Sequence, residues 1–246
     1  MLRSVMVFSL TAGLLTWPAQ AQEPPTLEEV LGNYYEAIGG LDAWKSVHSM
    51  KMTGRQTMWR GMEAPFTQTL KRPGKIRVEF TMQGMTAIRA YDGATAWMVM
   101  PFRGSTAPEV MPPEMAGGLI EEADIDGPLV GYEEEGQQVE LLGLTETEGT
   151  PGYKLQVTLR DGDVEYWYLD AEYFIPIRIE GTREFRGNVS EFATTLSDYK
   201  EVGGLMIAHS VETRGLGPGR GQALTIDQVE LNVEVDDALF AMPGGG

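Results

Sequence analysis

Two histidines, His48 and His209, are the chain's only imidazoles, and they fall far apart on separate expected strands. There is no cysteine, no His-x-x-x-His pair and no carboxylate at ligand spacing, so neither histidine has the company a metal site needs. Asp124-Ile125-Asp126-Gly127 opens like a calcium loop but lacks the distal glutamate, and it reads as a turn. Gly215-Leu216-Gly217-Pro218-Gly219-Arg220-Gly221 has neither the Lys-Ser/Thr pair nor the following helix of a phosphate loop, and it reads as a hairpin tip. Asn188-Val189-Ser190 matches a glycan acceptor, although turn chemistry accounts for it. No serine occupies a Gly-x-Ser-x-Gly elbow, and no triad can be built around two strand histidines. A carboxylate pair of the glycosidase kind needs only spatial proximity, yet no spacing selects one. The expectation is a protein that is not an enzyme and uses no metal or cofactor.

Methionine is the unusual residue. Met50, Met52, Met58, Met62, Met82, Met85, Met98, Met100, Met111 and Met115 all fall in one half of the chain. Flexible, polarisable thioethers suit a surface that moulds around variable apolar cargo. Met58, Trp59, Phe66, Ile76, Val78, Phe80, Met82, Met98, Met100, Met115 and Leu119 are therefore the candidate lining of an apolar cavity. The competing reading is ordinary core packing. Ile76, Val78, Phe80 and Met82 share one face of a strand and Lys75, Arg77, Glu79 and Thr81 the other, which marks a buried face without saying whether it encloses space.

The elements that position these side chains are mostly strands. Thr26 and Glu29 form a capping box, and Leu27, Val30, Leu31, Tyr34 and Ile38 recur at helical spacing before the Gly39-Gly40 stop. A short helical turn around residues 41–46 follows. Strands are expected over 48–59, 64–71, 76–82, 86–91 and 96–100, with Pro73-Gly74, Gln83-Gly84 and Asp92-Gly93 as turns. Residues 104–136 break the rhythm with prolines and glycines among apolar residues. They read as a helical lid insertion, with helices over 114–123 and 128–134 and a Gly117-Gly118 hinge. Strands resume over 138–145, 153–160, 164–170, 175–182, 190–199, 205–213 and 223–235. This is a mainly β (α+β) chain with one large curved antiparallel sheet.

Arg3, an apolar run from Val5 to Leu15, a break at Trp17-Pro18 and Ala19-Gln20-Ala21 have the layout of a secretory signal peptide cleaved after Ala21. Residues 22–246 then form a single domain in the periplasm. Loss of Arg3 leaves 18 basic against 36 acidic residues, a net charge of −18. Such a surface repels nucleic acid and anionic headgroups. No later stretch is long and apolar enough to be membrane-integral.

Several short patterns, in order, resemble the periplasmic outer-membrane lipoprotein carrier (LolA-like) family, in its broader standalone members. They are Gly39-Gly40-Leu41-x-x-Trp44-x-x-Val47-x-Ser49, Lys71-x-Pro73-x-Lys75-x-Arg77, Tyr91-Asp92-Gly93-x-x-x-Trp97 and Tyr168-Leu169-Asp170. Tyr199-x-x-Val202-x-Gly204 and Asn232-x-x-Val235-x-x-x-x-Phe240-x-x-Pro243 close the chain. The resemblance implies a half-open barrel around an apolar cavity with helices as lid. It also implies a soluble carrier or chaperone for a lipid, a lipoprotein acyl chain or a similar amphiphile. Partners would be a lipid or lipidated protein and an inner-membrane transporter or outer-membrane receptor. The alternative is an accessory module docking on an envelope membrane protein. An arginine that bonds lid carbonyls belongs to the same pattern; Arg55, Arg77 and Arg89 are strand residues available for it, and none is singled out.

Overall fold

The computed structural model describes residues 23–57, 61–185, 187–215 and 221–244. The expected leader, most of the Gly215–Gly221 tip, and Met58 and Trp59 of the candidate lining lie outside them.

The N-terminal helix α1 (Leu27–Ala37) starts where the sequence places it. The Glu29 amide donates to Thr26 Oγ1 at 3.3 Å and the Thr26 amide to Glu29 Oε2 at 2.9 Å, so two orphan donors of the first turn are satisfied. Val30, Leu31 and Tyr34 face inward. Gly39 ends the turn at φ 107°. A Cβ there would lie 2.1 Å from the Gly204 carbonyl oxygen, so the close approach of two distant loops requires glycine. The short helix α2 (Leu41–Lys45) follows.

Among the described residues thirteen strands form one antiparallel sheet. They are β1 (Ser49–Thr57), β2 (Glu63–Lys71), β3 (Lys75–Met82), β4 (Met85–Tyr91), β5 (Ala96–Val99), β6 (Glu109–Val110), β7 (Gln138–Thr147), β8 (Thr150–Thr158), β9 (Val164–Asp170), β10 (Pro176–Phe185), β11 (Asn188–Val202), β12 (Leu205–Arg214) and β13 (Gln222–Leu231). The order is β6-β5-β4-β3-β2-β1-β13-β12-β11-β10-β9-β8-β7. Neighbours are thus nearly all consecutive hairpins, and β1 pairing with β13 joins the two halves. Among the described residues β6 and β7 are free edges, so the sheet is an open barrel. The chain from 111 to 137 runs from one free edge to the other, which is why the insertion covers the mouth.

Four expectations change. The two-residue β6 was not legible, being too short for any alternation. The expected helix over 128–134 is a chain of turns: Gly127, Gly131 and Gly136 take φ of 68°, 66° and 75°, and the buried Leu129 and Val130 fix the path instead. Gly117-Gly118, expected as a hinge of the lid, instead lies inside one continuous helix, α3 (Pro113–Glu122). The strand expected to reach Val235 stops at Leu231, where Asn232 turns to φ 56° and its Oδ1 accepts from the His48 amide.

Two cores result. One gathers Met50, Phe66, Ile76, Val78, Met98, Met111 and Leu119 beneath α3. The other packs α1 and the turn residues Leu129 and Val130 onto Leu155, Val157 and Leu169 of β8 and β9. The Tyr35 hydroxyl donates to the Leu129 carbonyl at 2.8 Å and ties α1 to the insertion.

Candidate functional site

Helix α3 buries a single side chain, Leu119, which is 1% exposed in the core of the first half-sheet. Met115 and Ala116 pack at its edge. The helix contacts β3, β4 and β5 on one side and β10 on the other, so it bridges two walls of the curved sheet. Between α3, the 124–128 turn and the inner face of β9 to β13 lies a cleft of about 670 Å³. That falls within the roughly 300–1,000 Å³ of small-molecule sites. Ile120, Leu159, Trp167, Ile179 and Phe192 supply its apolar wall.

Arg183 of β10 stands at the junction. It donates to Glu121 Oε2 of α3 at 2.7 Å, to Glu165 Oε1 of β9 at 2.8 Å and to Asp163 Oδ2 at 3.3 Å, with its guanidinium 5.1 Å from the Phe192 ring. Glu165 is itself buried and accepts from Trp167 Nε1 at 2.9 Å. One arginine therefore ties the lid helix to two strands. Arg89 adds a longer 3.9 Å pair to Glu122. Of the other arginines weighed from sequence, Arg55 pairs with Asp227, and Arg77 with Glu79 and the Leu239 carbonyl, both away from α3. Arg183 was missed because the expected strand ended at Thr182. The available signal was a charged residue in phase with Ile179.

Beyond α3, Arg72 clamps the turn. It forks onto both carboxylate oxygens of Asp126, with Nη2 to Oδ1 at 2.7 Å, and donates from Nε to the Val47 carbonyl at 2.6 Å. Asp124-Ile125-Asp126-Gly127 is indeed a turn, the Asp126 amide donating to Asp124 Oδ1 at 3.1 Å.

The structure places the sequence-predicted lining residues elsewhere than this cleft. Phe66, Ile76, Val78, Met98 and Leu119 are buried in the packed core, and Phe80, Met100 and Met115 lie partly buried against it. Met82, at the end of β3, is half-buried. None of these nine lines the cleft, which opens on the opposite side of α3.

No family model matches the sequence, and no curated protein is significantly similar. Solved structures do align. A domain described as an outer membrane lipoprotein-sorting protein from Vibrio parahaemolyticus superposes with a TM-score of 0.58 at 15% identity, over 86% of this chain and 94% of that one. A LolA superfamily protein from Nitrosomonas europaea gives 0.58 at 15% identity, over 88% and 98%. The chain has a LolA-like fold. A DUF1329 family protein from Desulfovibrio piger aligns as well, at a TM-score of 0.57, 12% identity and 86% and 97% coverage. In this LolA-like chain no helix among the described residues is long and apolar enough to cross a membrane.

Two expected results follow for the lid. Gly118 is exposed within α3, and a Cβ there would meet nothing within 4 Å. Gly118→Ala is expected to stabilise α3 by up to about 1 kcal/mol, read as slower amide exchange in the helix. Burial in the cleft, opposed by Arg183, raises the Glu121 carboxyl pKa above its ordinary 4.5. The folded state then binds a proton that the unfolded state does not, so stability rises as the pH falls from the raised folded value toward 4.5. Denaturant melts of wild type and Glu121→Gln across that window should show this slope reduced in the variant.

Proposed function

We propose that this protein is a soluble periplasmic carrier or chaperone that holds a lipid, a lipoprotein acyl chain or a similar amphiphile under α3, after cleavage of a signal peptide at Ala21. The observation that carries the reading is a one-residue lid anchor, Leu119, beside a partly apolar cleft of about 670 Å³. Lifting α3 would remove Leu119 and Met115 from the first core and join the cleft to the methionine-rich face of Met98 and Met100. The lining predicted from sequence would then be the open-state extension of the site. Each buried methylene contributes about 0.8 kcal/mol, so an acyl chain gains affinity without specific contacts. Thioethers that repack easily suit a face that is filled by the lid in one state and by cargo in the other.

Proteins of this fold need not be catalysts. The test is native purification of the mature chain followed by organic extraction and mass spectrometry, against a control taken through the same steps. A stoichiometric acyl species supports the carrier reading. A clean extract together with no uptake of added lipid refutes it.

A second reading, an accessory module docking on an inner-membrane transporter or outer-membrane receptor, draws on edge strand β7. Leu142 and Leu144 there are 46% and 64% exposed beside unpaired backbone groups.

A further inference from the structure

The cleft's polar lining narrows the cargo. Its charged groups are the carboxylates of Glu121, Glu122, Asp124, Asp161 and Glu165 against the guanidinium groups of Arg160 and Arg183. Both cations are already committed: Arg160 pairs with Glu135, and Arg183 with Glu121, Glu165 and Asp163. Negative charge is therefore in excess where a headgroup would sit.

A second observation is independent of that excess. Gln137, immediately before β7, lines the same cleft and is 8% exposed, and its Oε1 has no hydrogen-bond partner among the described residues. A buried acceptor without a donor is costly, and the neighbouring carboxylates are acceptors too. What the site lacks is a donor that also carries positive charge. A carboxylate or phosphate head offers acceptors only and meets like charge. A neutral hydroxyl donates but leaves the charge uncompensated. An ammonium group answers both, and the Trp167 ring beside Glu165 adds a face suited to a cation.

Resting on the carrier reading above, we propose that the cleft selects an amine-bearing, cationic single-chain amphiphile. The ammonium group sits among Gln137, Glu165 and Asp161, and the hydrocarbon chain runs along Ile120, Leu159 and Ile179 under α3. The acidic surface, net −18 in the mature chain, draws the same class of molecule toward the mouth.

The experiment is titration calorimetry of the mature chain with three probes of equal chain length, each below its micelle concentration: dodecylammonium chloride, sodium dodecanoate and neutral monododecanoyl glycerol. Dodecylammonium is expected to bind at one per chain and at least about tenfold more tightly than either other probe, as a charge-assisted hydrogen bond allows. Gln137→Leu and Asp161→Asn should each weaken dodecylammonium by roughly fivefold or more and by a larger factor than they weaken monododecanoyl glycerol, with thermal melts matching wild type to certify that the variants are folded. Equal binding of all three probes overturns the ammonium preference and leaves the carrier reading standing. Dodecylammonium uptake that neither variant changes is adsorption on the acidic surface and overturns the proposal. No binding of any probe defeats the carrier reading and this inference with it.

Discussion

Leu119→Ala is expected to release α3 while the sheet stays folded. Leu119 is the helix's only fully buried residue, and its removal takes away the side chain that reaches deepest into the first core. Leucine-to-alanine changes at such positions cost about 2–5 kcal/mol. Because α3 otherwise packs only at the core's edge through Met115 and Ala116, and its pairs Arg183–Glu121 and Arg89–Glu122 are partly exposed, most of that loss falls on lid docking. A loss of about 3 kcal/mol lowers the closed-to-open ratio by roughly a hundredfold. Hydrogen exchange should show α3 amides unprotected while β1, β2 and β11 to β13 keep their protection, and an apolar fluorescent probe should gain signal. Loss of protection through the whole sheet at once would mean that α3 is part of the cooperative core and no lid.

Local signals in the sequence carried the local structure. The Thr26–Glu29 box starts α1, and the alternation from Ile76 to Met82 puts Ile76 and Val78 in the core with Arg77 and Glu79 paired on the other face. The spaced motifs of the family resemblance have a common physical role. Lys71 donates to the Val235 carbonyl and to Asp237, Lys75 also pairs with Asp237, Arg77 reaches the Leu239 carbonyl, and Trp97 Nε1 donates to the Phe240 carbonyl at 2.7 Å. The two lysines hold the Asp237 carboxyl down at about 2. These residues staple the C-terminal tail across β2 to β5, as Gly39 seats against Gly204. They describe how the fold is held together, which explains why they pointed to the architecture and not to the cleft. The cleft depends on which inward positions face empty space and on a latch between Arg183 and Glu121, 62 residues apart. Neither is encoded by periodicity, because a strand pattern reports which face is inward and not what stands across from it.

At the far end of the lid the expected effect is on stability as well as motion. Asp126→Ala removes the carboxylate that Arg72 grips with two guanidinium nitrogens, and leaves that cation with the Val47 carbonyl and a long contact to the Trp44 carbonyl. Both partners are largely shielded, with side chains 27% and 14% exposed, so the lost pair is not simply replaced by water. The hydrogen bond to Asp126 raises the Arg72 pKa, and although the variant loses that effect, the ordinary pKa of a guanidinium is high enough to keep the arginine charged. Stranding one partner of a buried pair costs about 3–5 kcal/mol. At about 3 kcal/mol the melting temperature of a domain this size falls by roughly 6–12 °C. Replacing both partners together, as Arg72→Met with Asp126→Leu, should recover much of the loss, because no unpaired charge remains. The clamp also decides which part of the insertion moves. Arg72 fixes the turn at Asp126 to the loop between β2 and β3, and Leu129 and Val130 fix the chain beyond it in the second core. The expected pivots of α3 are therefore its two ends, at Pro112-Pro113 and at Ala123-Asp124. Asp126→Ala should free the second pivot, so under the proposed carrier function exchange of a bound amphiphile should be faster than wild type even at temperatures where the sheet is intact. A slower or unchanged exchange with the expected drop in melting temperature would make the clamp a structural brace alone.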